Sequence, residues 1–164
     1  MVVDLPTFTL IHVVISVVGI IAGLVVVGGL MAGARLDTWT GVFLGATAIT
    51  SLTGFGFPFT SVSPAHVVGA ISLLVLALCL AARYWKHLNR GWRTTYVVTA
   101  VTALYLNVFV LVVQLFTRTP ALVSLAPTQS EAPFTVTQLL VLALFASLGW
   151  AALRGFRAAA VSSR

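Results

Sequence analysis

The sequence has very little charge for its size. Only 7% of its 164 residues are Asp, Glu, Lys or Arg, whereas about 25% is usual in soluble domains. The acids are Asp4, Asp37 and Glu131 alone. A soluble fold of this length needs a charged surface, and this composition cannot supply one. We therefore exclude a soluble domain and expect lipid to be the solvent for most of the surface.

Catalytic and redox motifs are also missing. A single cysteine, Cys79, excludes a disulfide within one chain, and it lies in an apolar run, where a thiol usually packs as a small hydrophobic group. The sequence has no HExxH, CxxC, Walker loop or dinucleotide fingerprint, and no nucleophile–base–acid set stands out. These absences name no reaction and lean away from an enzyme.

Long apolar runs dominate what remains. The chain is 60% hydrophobic with a mean hydropathy of +1.10, and each run approaches the roughly 20 residues that a helix needs to cross a bilayer. We predict an all-α, polytopic protein, with residues 1–164 forming one membrane domain. Its bundle of five transmembrane helices is expected to have spans near 8–33, 39–57, 64–85, 94–117 and 134–153.

The basic residues predict an orientation. With five spans, eight of the nine bases share one side, and Arg118 lies on the other side with Asp4 and Glu131. The positive-inside rule then places the N-terminus outside and the C-terminus in the cytoplasm, as in a bacterial inner membrane. Aromatic residues accompany the bases as an expected interfacial belt: Trp39, Tyr84, Trp85, Trp92, Tyr96 and Trp150. The net charge of +6 is therefore assigned to lipid headgroups and not to nucleic acid.

Four polar side chains are expected in one layer near the outer face. His12, His66, Gln114 and Gln138 each lie close to the outer end of a predicted span, and Asn107 shares the face of Gln114 two turns deeper. The layer predicts a pocket for a cofactor or small ligand. The loop Thr128–Glu131 is either a lid over this layer or a helix start with Ser130 as N-cap.

The sharpest form of this first hypothesis is a b-type haem. His12 and His66 would ligate the metal, because a neutral imidazole offers a lone pair to iron, copper or zinc. Gly19 and Gly23 follow His12 on the same stripe of the first span and would make room for the porphyrin edge. The alternatives are that the histidines contact headgroups or backbone carbonyls, and that the glycines serve helix packing within or between chains.

A channel or transporter for an ion or small solute is the second hypothesis. Asn107, Gln114, Gln138, Thr50 and Thr53 would line its path. The segment Thr53-Gly54-Phe55-Gly56 resembles the end of a potassium-channel filter, Thr-x-Gly-Tyr/Phe-Gly, with its threonine one position displaced. That resemblance implies a second run that re-enters without crossing, and several copies around one axis.

A structural role is the third hypothesis. Glycine-rich helices favour self-association, so we expect either a homo-oligomer or an accessory subunit of a larger membrane complex.

Overall fold

The computed structural model describes residues 5–56, 64–89 and 91–162. The helices are α1 (Leu5–Met31), α2 (Asp37–Gly54), α3 (Pro64–Leu80), a π-helix (Ala81–Trp85), α4 (Trp92–Arg118), α5 (Pro120–Leu125) and α6 (Ala132–Ser162). The predicted class, an all-α polytopic membrane protein, is confirmed. Asp4, Arg90 and Arg164 of the predicted charge asymmetry lie outside the described residues.

Among the residues that the structure describes, four helices, not five, are long and apolar enough to cross a membrane. They cover Leu5–Met31, His66–Trp85, Trp92–Arg118 and Ala132–Arg157. The predicted span at 39–57 corresponds to α2, which has 18 residues and falls short because it contains Asp37 and five threonines. Helix α5 was not predicted, since six residues are too few to show a periodic pattern.

Helix α2 nevertheless lies beside α1 along its whole length. A Cβ added at Gly29 would meet Leu36, and one added at Gly19 would meet Ala46 at 3.3 Å. Further along, His12 is hydrogen-bonded to Thr53. Later residues of α2 thus contact earlier residues of α1, so the two helices are antiparallel and form a hairpin.

The hairpin does not support the filter-like interpretation of residues 53–56. Helix α2 stays helical to Gly54, and Phe55 keeps α-helical backbone angles of φ −76° and ψ −12°. Phe57 and Pro58, which followed the predicted filter, lie outside the described residues. A re-entrant segment would turn back part-way, whereas α2 accompanies α1 from one end to the other.

The bundle is a ring of four helices with a fifth packed on it. Helix α1 packs on α2, α2 on α3, α3 on α4, and α4 back on α1, while α6 packs against both α1 and α4. We call the end that holds Arg35, Arg83 and Lys86 the basic end, and the end that holds His12 and His66 the histidine end. Each helix of the ring runs from one of these ends to the other.

The π-helix gives the basic end an unusual backbone. The amide of Lys86 donates to Ala81 O at 2.8 Å, which is a bond across five residues. His87 and Leu88 follow with φ of 49° and 57°, a left-handed conformation that is uncommon for non-glycine residues. Both features are often found at functional sites.

Helix α6 begins at the histidine end behind a compact loop. Glu131, not the predicted Ser130, occupies the position before the helix. Its carboxylate accepts hydrogen bonds from Thr128 N at 3.1 Å, Thr128 Oγ1 at 2.9 Å and Ser130 N at 3.1 Å. A carboxylate can accept all three at once, which a single hydroxyl cannot do.

Candidate functional site: a polar seam and a basic cleft

The histidine end contains a bond between α1 and α2. His12 Nδ1 lies 2.8 Å from Thr53 Oγ1. The Thr53 hydroxyl donates to Ile49 O at 2.7 Å, so its proton is already used. The hydroxyl must then accept from His12, which puts the proton on Nδ1 and the lone pair on Nε2.

His66 packs against Phe55, which lies two residues after Thr53 at the end of α2. Its ring centroid lies 5.7 Å from that of Phe55, and a Cβ added at Gly69 would meet the Phe55 ring at 3.2 Å. The two histidines therefore contact neighbouring residues at the end of α2, one from α1 and one from α3. Within residues 5–56, 64–89 and 91–162, no three His, Cys, Asp or Glu residues are grouped so as to hold a metal ion.

The space predicted for a porphyrin edge is filled by protein. A Cβ at Gly23 would approach Leu104 Cδ1 to 2.6 Å and the Phe43 ring to 2.9 Å. At Gly19 it would lie 3.7 Å from the backbone N of Thr47. These glycines bring α1 against α2 and α4, and the residues present do not fit a haem beside them. The bis-histidine haem stays a prediction without support from these two positions.

Asn107 forms the central bond of the bundle. Its Nδ2 donates to Thr47 Oγ1 at 3.0 Å, joining α4 to α2. Asn107 is 7% exposed and Thr47 is fully buried. Thr50 lies one turn further toward the histidine end, and its hydroxyl oxygen is buried with no hydrogen-bond partner among the described residues.

The two glutamines lie apart from Asn107. Gln114 is exposed whereas Asn107 is buried, although the two lie seven residues apart on the same side of the continuous helix α4. Val112 and Phe116 occupy the buried face there and pack with Ala126. Gln138 is partly buried, and its Nε2 donates to Phe109 O at 3.3 Å, which ties α6 to α4.

A buried polar cluster at the basic end was missed by sequence reasoning. Arg83 is 5% exposed. Its Nη1 donates to the Tyr96 hydroxyl at 3.0 Å, and its Nη2 donates to Asp37 Oδ1. Tyr96 in turn lies 3.4 Å from Thr40 Oγ1, which itself donates to Leu36 O.

These bonds correct one prediction and suggest how the cluster could have been found. Tyr96 is 1% exposed, so it belongs to the core and not to the interfacial belt. The signal in the sequence was Asp37, the single acid on the side that carries eight bases. An acid beside so many bases is a natural partner for whichever base the helices bury.

Two cavities flank the π-helix at the basic end. One, which we call the basic cleft, has a volume of about 330 Å³ and is lined by Arg35, Asp37, Arg83, Tyr84 and His87. The other has a volume of about 540 Å³ and is lined by Trp85, Lys86, Asn89, Gly91, Trp92 and Thr95. The sequence predicted a site at the histidine end, but both of these cavities are at the basic end.

A line of polar side chains runs along α2 from the basic end to the histidine end, and we call it the polar seam. Its first part is buried between α2 and α4, and its last part lies between α2 and α1. The seam consists of Tyr96, Thr40, Thr47, Asn107, Thr50, Thr53 and His12. Thr40 and Thr53 are separated by about 20 Å of helix. Through the bond between Tyr96 and Arg83, the seam reaches the basic cleft.

No known protein family matches this chain, and neither does any curated protein or solved structure. The geometry of the seam and the cleft is therefore the basis for assigning a function.

Proposed function

We propose that this chain transports a small anion or a neutral polar solute across the membrane along the polar seam. The observation that carries the proposal is the hydrogen bond between Asn107 and Thr47, which joins α4 to α2 in the buried middle of the bundle. This function is the transport alternative of the sequence analysis, with Asn107, Thr50 and Thr53 retained and Gln114 and Gln138 left out.

The position of the polar groups supports transport. Polar groups are costly in a membrane, and where they occur they face the bundle interior and often mark a substrate path. The seam follows this pattern, because its members lie between helices while the outer faces carry large apolar side chains such as Leu74, Leu140 and Ile21. Helix α2 contributes four hydroxyl groups to the seam and is the helix that is too polar to qualify as a membrane span.

The charge at the basic end supports the choice of solute. Among the described residues, the guanidinium of Arg83 is the formal charge that directly contacts the seam, through Tyr96. A fixed arginine beside a narrow path raises the barrier for cations. Hydroxyl and amide groups further along offer donors and acceptors to an anion or a neutral solute.

A flux assay in liposomes tests the proposal. The variant is the double substitution Asn107→Leu with Thr47→Val, which replaces both partners of the central bond by apolar side chains, so that neither is left with a broken bond. Thr117→Val is the matched control, since this exposed hydroxyl bonds only to the carbonyls of Val113 and Gln114 on its own helix. Chloride, nitrate, urea, glycerol and potassium are the test solutes.

We expect flux of at least one anion or neutral solute in the unchanged protein, and none of potassium. The double variant should lose about tenfold, which corresponds to about 1.4 kcal/mol of added barrier, while the Thr117→Val control keeps its rate. Flux equal to that of empty liposomes for every solute would overturn the proposal, as would a potassium flux that exceeds the others.

A ligand at the histidine end is the competing proposal, and the buried Thr50 hydroxyl is the observation that favours it. An absorption spectrum of protein purified from haem-replete cells tests its haem form. A Soret band that is lost in both His12→Ala and His66→Ala would replace transport by electron transfer.

A further inference from the structure

The basic cleft is built around an arginine that is held in one orientation. The side chain of Arg83 is 3% exposed. Its two terminal nitrogens donate to Tyr96 and to Asp37, and its Cζ lies 5.1 Å from the centroid of the Tyr96 ring and 5.6 Å from that of Tyr84. A guanidinium fixed in this way needs no reordering when an anion arrives, which lowers the cost of binding.

Arg35 brings a second guanidinium to the same carboxylate without bonding to it. Its Nη2 lies 3.9 Å from Asp37 Oδ1, beyond hydrogen-bond distance, and its side chain is 52% exposed. Two arginines thus face one carboxylate in a cleft that solvent can enter. The pair leaves one positive charge uncompensated, and the planar fork of Arg35 suits the oxygens of a phosphate group.

The π-helix and the turn that follows it also line the cleft, beside Arg35 and Asp37. His87, in its left-handed conformation, lines the cleft together with Tyr84. These residues add an imidazole and a phenol as further donors. The volume of about 330 Å³ is at the small end of the range of about 300–1,000 Å³ for ligand sites, and it suits a headgroup better than a larger cofactor.

Aromatic residues place the cleft at the depth of lipid headgroups. Trp85 is 76% exposed, and the Lys86 ammonium lies 5.4 Å from the Trp85 ring and 5.5 Å from the Trp92 ring. Tryptophan and lysine in this arrangement are typical of the membrane–water interface. Basic pockets between helices on the cytoplasmic side of a membrane bind anionic lipid headgroups.

We infer that the basic cleft binds a phosphate group, with Arg35 as the mobile contact and Arg83 as the fixed one. The shared chemistry is a phosphate anion, and it has two sources: the headgroup of an anionic phospholipid, or a soluble phosphate. This inference does not depend on transport, because it concerns groups at the surface of the basic end.

Thermal unfolding of the whole chain in a neutral detergent tests the inference. The additives are short-chain phosphatidylglycerol, inorganic phosphate, and short-chain diacylglycerol as a lipid without phosphate, all at one ionic strength. The variant is Arg35→Gln, with Arg35→Lys to keep the charge but lose the fork. Arg154→Gln is the control, since Arg154 carries the same charge at the same end but lies 3.9 Å from the centroid of the Trp150 ring, on α6.

We expect phosphatidylglycerol to raise the unfolding temperature by about 3 °C or more, and diacylglycerol to have no effect. Arg35→Gln should remove the rise, Arg35→Lys should reduce it, and Arg154→Gln should keep it. A rise with phosphatidylglycerol alone identifies a lipid headgroup as the source. A similar rise with inorganic phosphate shows that the phosphate group suffices.

Three results would overturn the inference. The first is no rise with either phosphate compound, and the second is an equal rise with diacylglycerol. The third is an equal loss in Arg35→Gln and Arg154→Gln, because that would show attraction to the basic end as a whole. The Arg35→Gln variant should fold, since the pair between Arg83 and Asp37 stays intact without Arg35.

Discussion

Arg83 and Asp37 form an ion pair whose two members have opposite environments. The side chain of Arg83 is 3% exposed, whereas that of Asp37 is 71% exposed. The pair joins the end of α3 to the start of α2, and Tyr96 extends it to α4. One guanidinium therefore connects three helices.

Replacing Asp37 should destabilise the bundle more than replacing Arg35. Asp37→Asn keeps an oxygen that can accept from Arg83 but removes the charge that pairs with the buried guanidinium, and weakening a charge-assisted hydrogen bond in this way costs about 1 kcal/mol. The exposed position of Asp37 keeps the loss below that of a fully buried pair. Thermal unfolding in detergent measures both variants. A smaller loss for Asp37→Asn than for Arg35→Gln would contradict the central role given to this pair.

Glycine substitutions should separate close contacts from open surfaces. In Gly155→Ala the new Cβ would lie 1.9 Å from the backbone oxygen of Met31, and in Gly23→Ala it would meet the side chains of Leu104 and Phe43. Side chains can adjust, so we expect a loss of about 1–3 kcal/mol at Gly23 and a larger one at Gly155. Gly41→Ala is the control, because nothing lies within 4 Å of its added Cβ. Chemical denaturation in detergent gives the ranking, and equal effects at all three positions would refute the packing described here.

The bond between Asn107 and Thr47 should give a measurable coupling energy. Thr47→Val alone leaves a buried amide donor unsatisfied, at a cost of about 1–3 kcal/mol. The double variant with Asn107→Leu should recover most of that loss, since both partners become apolar. A double-mutant cycle on unfolding free energies measures the coupling. Strictly additive losses would mean that the two side chains do not interact.

The loop before α6 should depend on the charge of Glu131. Desolvation raises the pKa of this carboxyl, but the hydrogen bonds from its own backbone, Thr128 and Ser130 together outweigh that effect and hold the pKa below its ordinary value. The loop is then most stable above the ordinary pKa, and its stability falls as the pH drops through the lowered one. Titration of the Glu131 carboxyl carbon by NMR measures the shift. A pKa at or above the ordinary value would show that these bonds do not form.

Composition alone was enough to predict the class of protein, because a charge-poor chain with long apolar runs has no other stable solution. Composition did not separate α2 from the other helices. Four of its five threonines, Thr40, Thr47, Thr50 and Thr53, were read as part of an apolar run, although they give α2 polar groups that the neighbouring helices cover. Whether α2 can lie in a membrane depends on how well its neighbours shield its polar groups from lipid. That shielding is a property of the packed bundle and cannot be read from composition.

The site was harder to predict than the fold for a related reason. Arg83 was counted among the surface bases, because a sequence shows that an arginine is present but not that a π-helix turns it inward. Tyr96 was placed in the interfacial belt by its position near the end of a span, but its side chain is buried and accepts a hydrogen bond from Arg83, a direction that depends on how the helices pack. Asn107 was singled out as a polar group within a long span, but its partner Thr47 on α2 could not be foreseen, because a sequence does not show which helices pack together.

The hairpin of α1 and α2 constrains how the chain enters the bilayer during synthesis. A translocating channel releases a segment sideways only if that segment prefers lipid to water, and residues such as Asp count strongly against release. Helix α2 is too polar to meet this condition alone, and α1 lies beside it and precedes it in the chain. We therefore expect α2 to depend on α1 for its insertion, so that the order of synthesis matters for this hairpin.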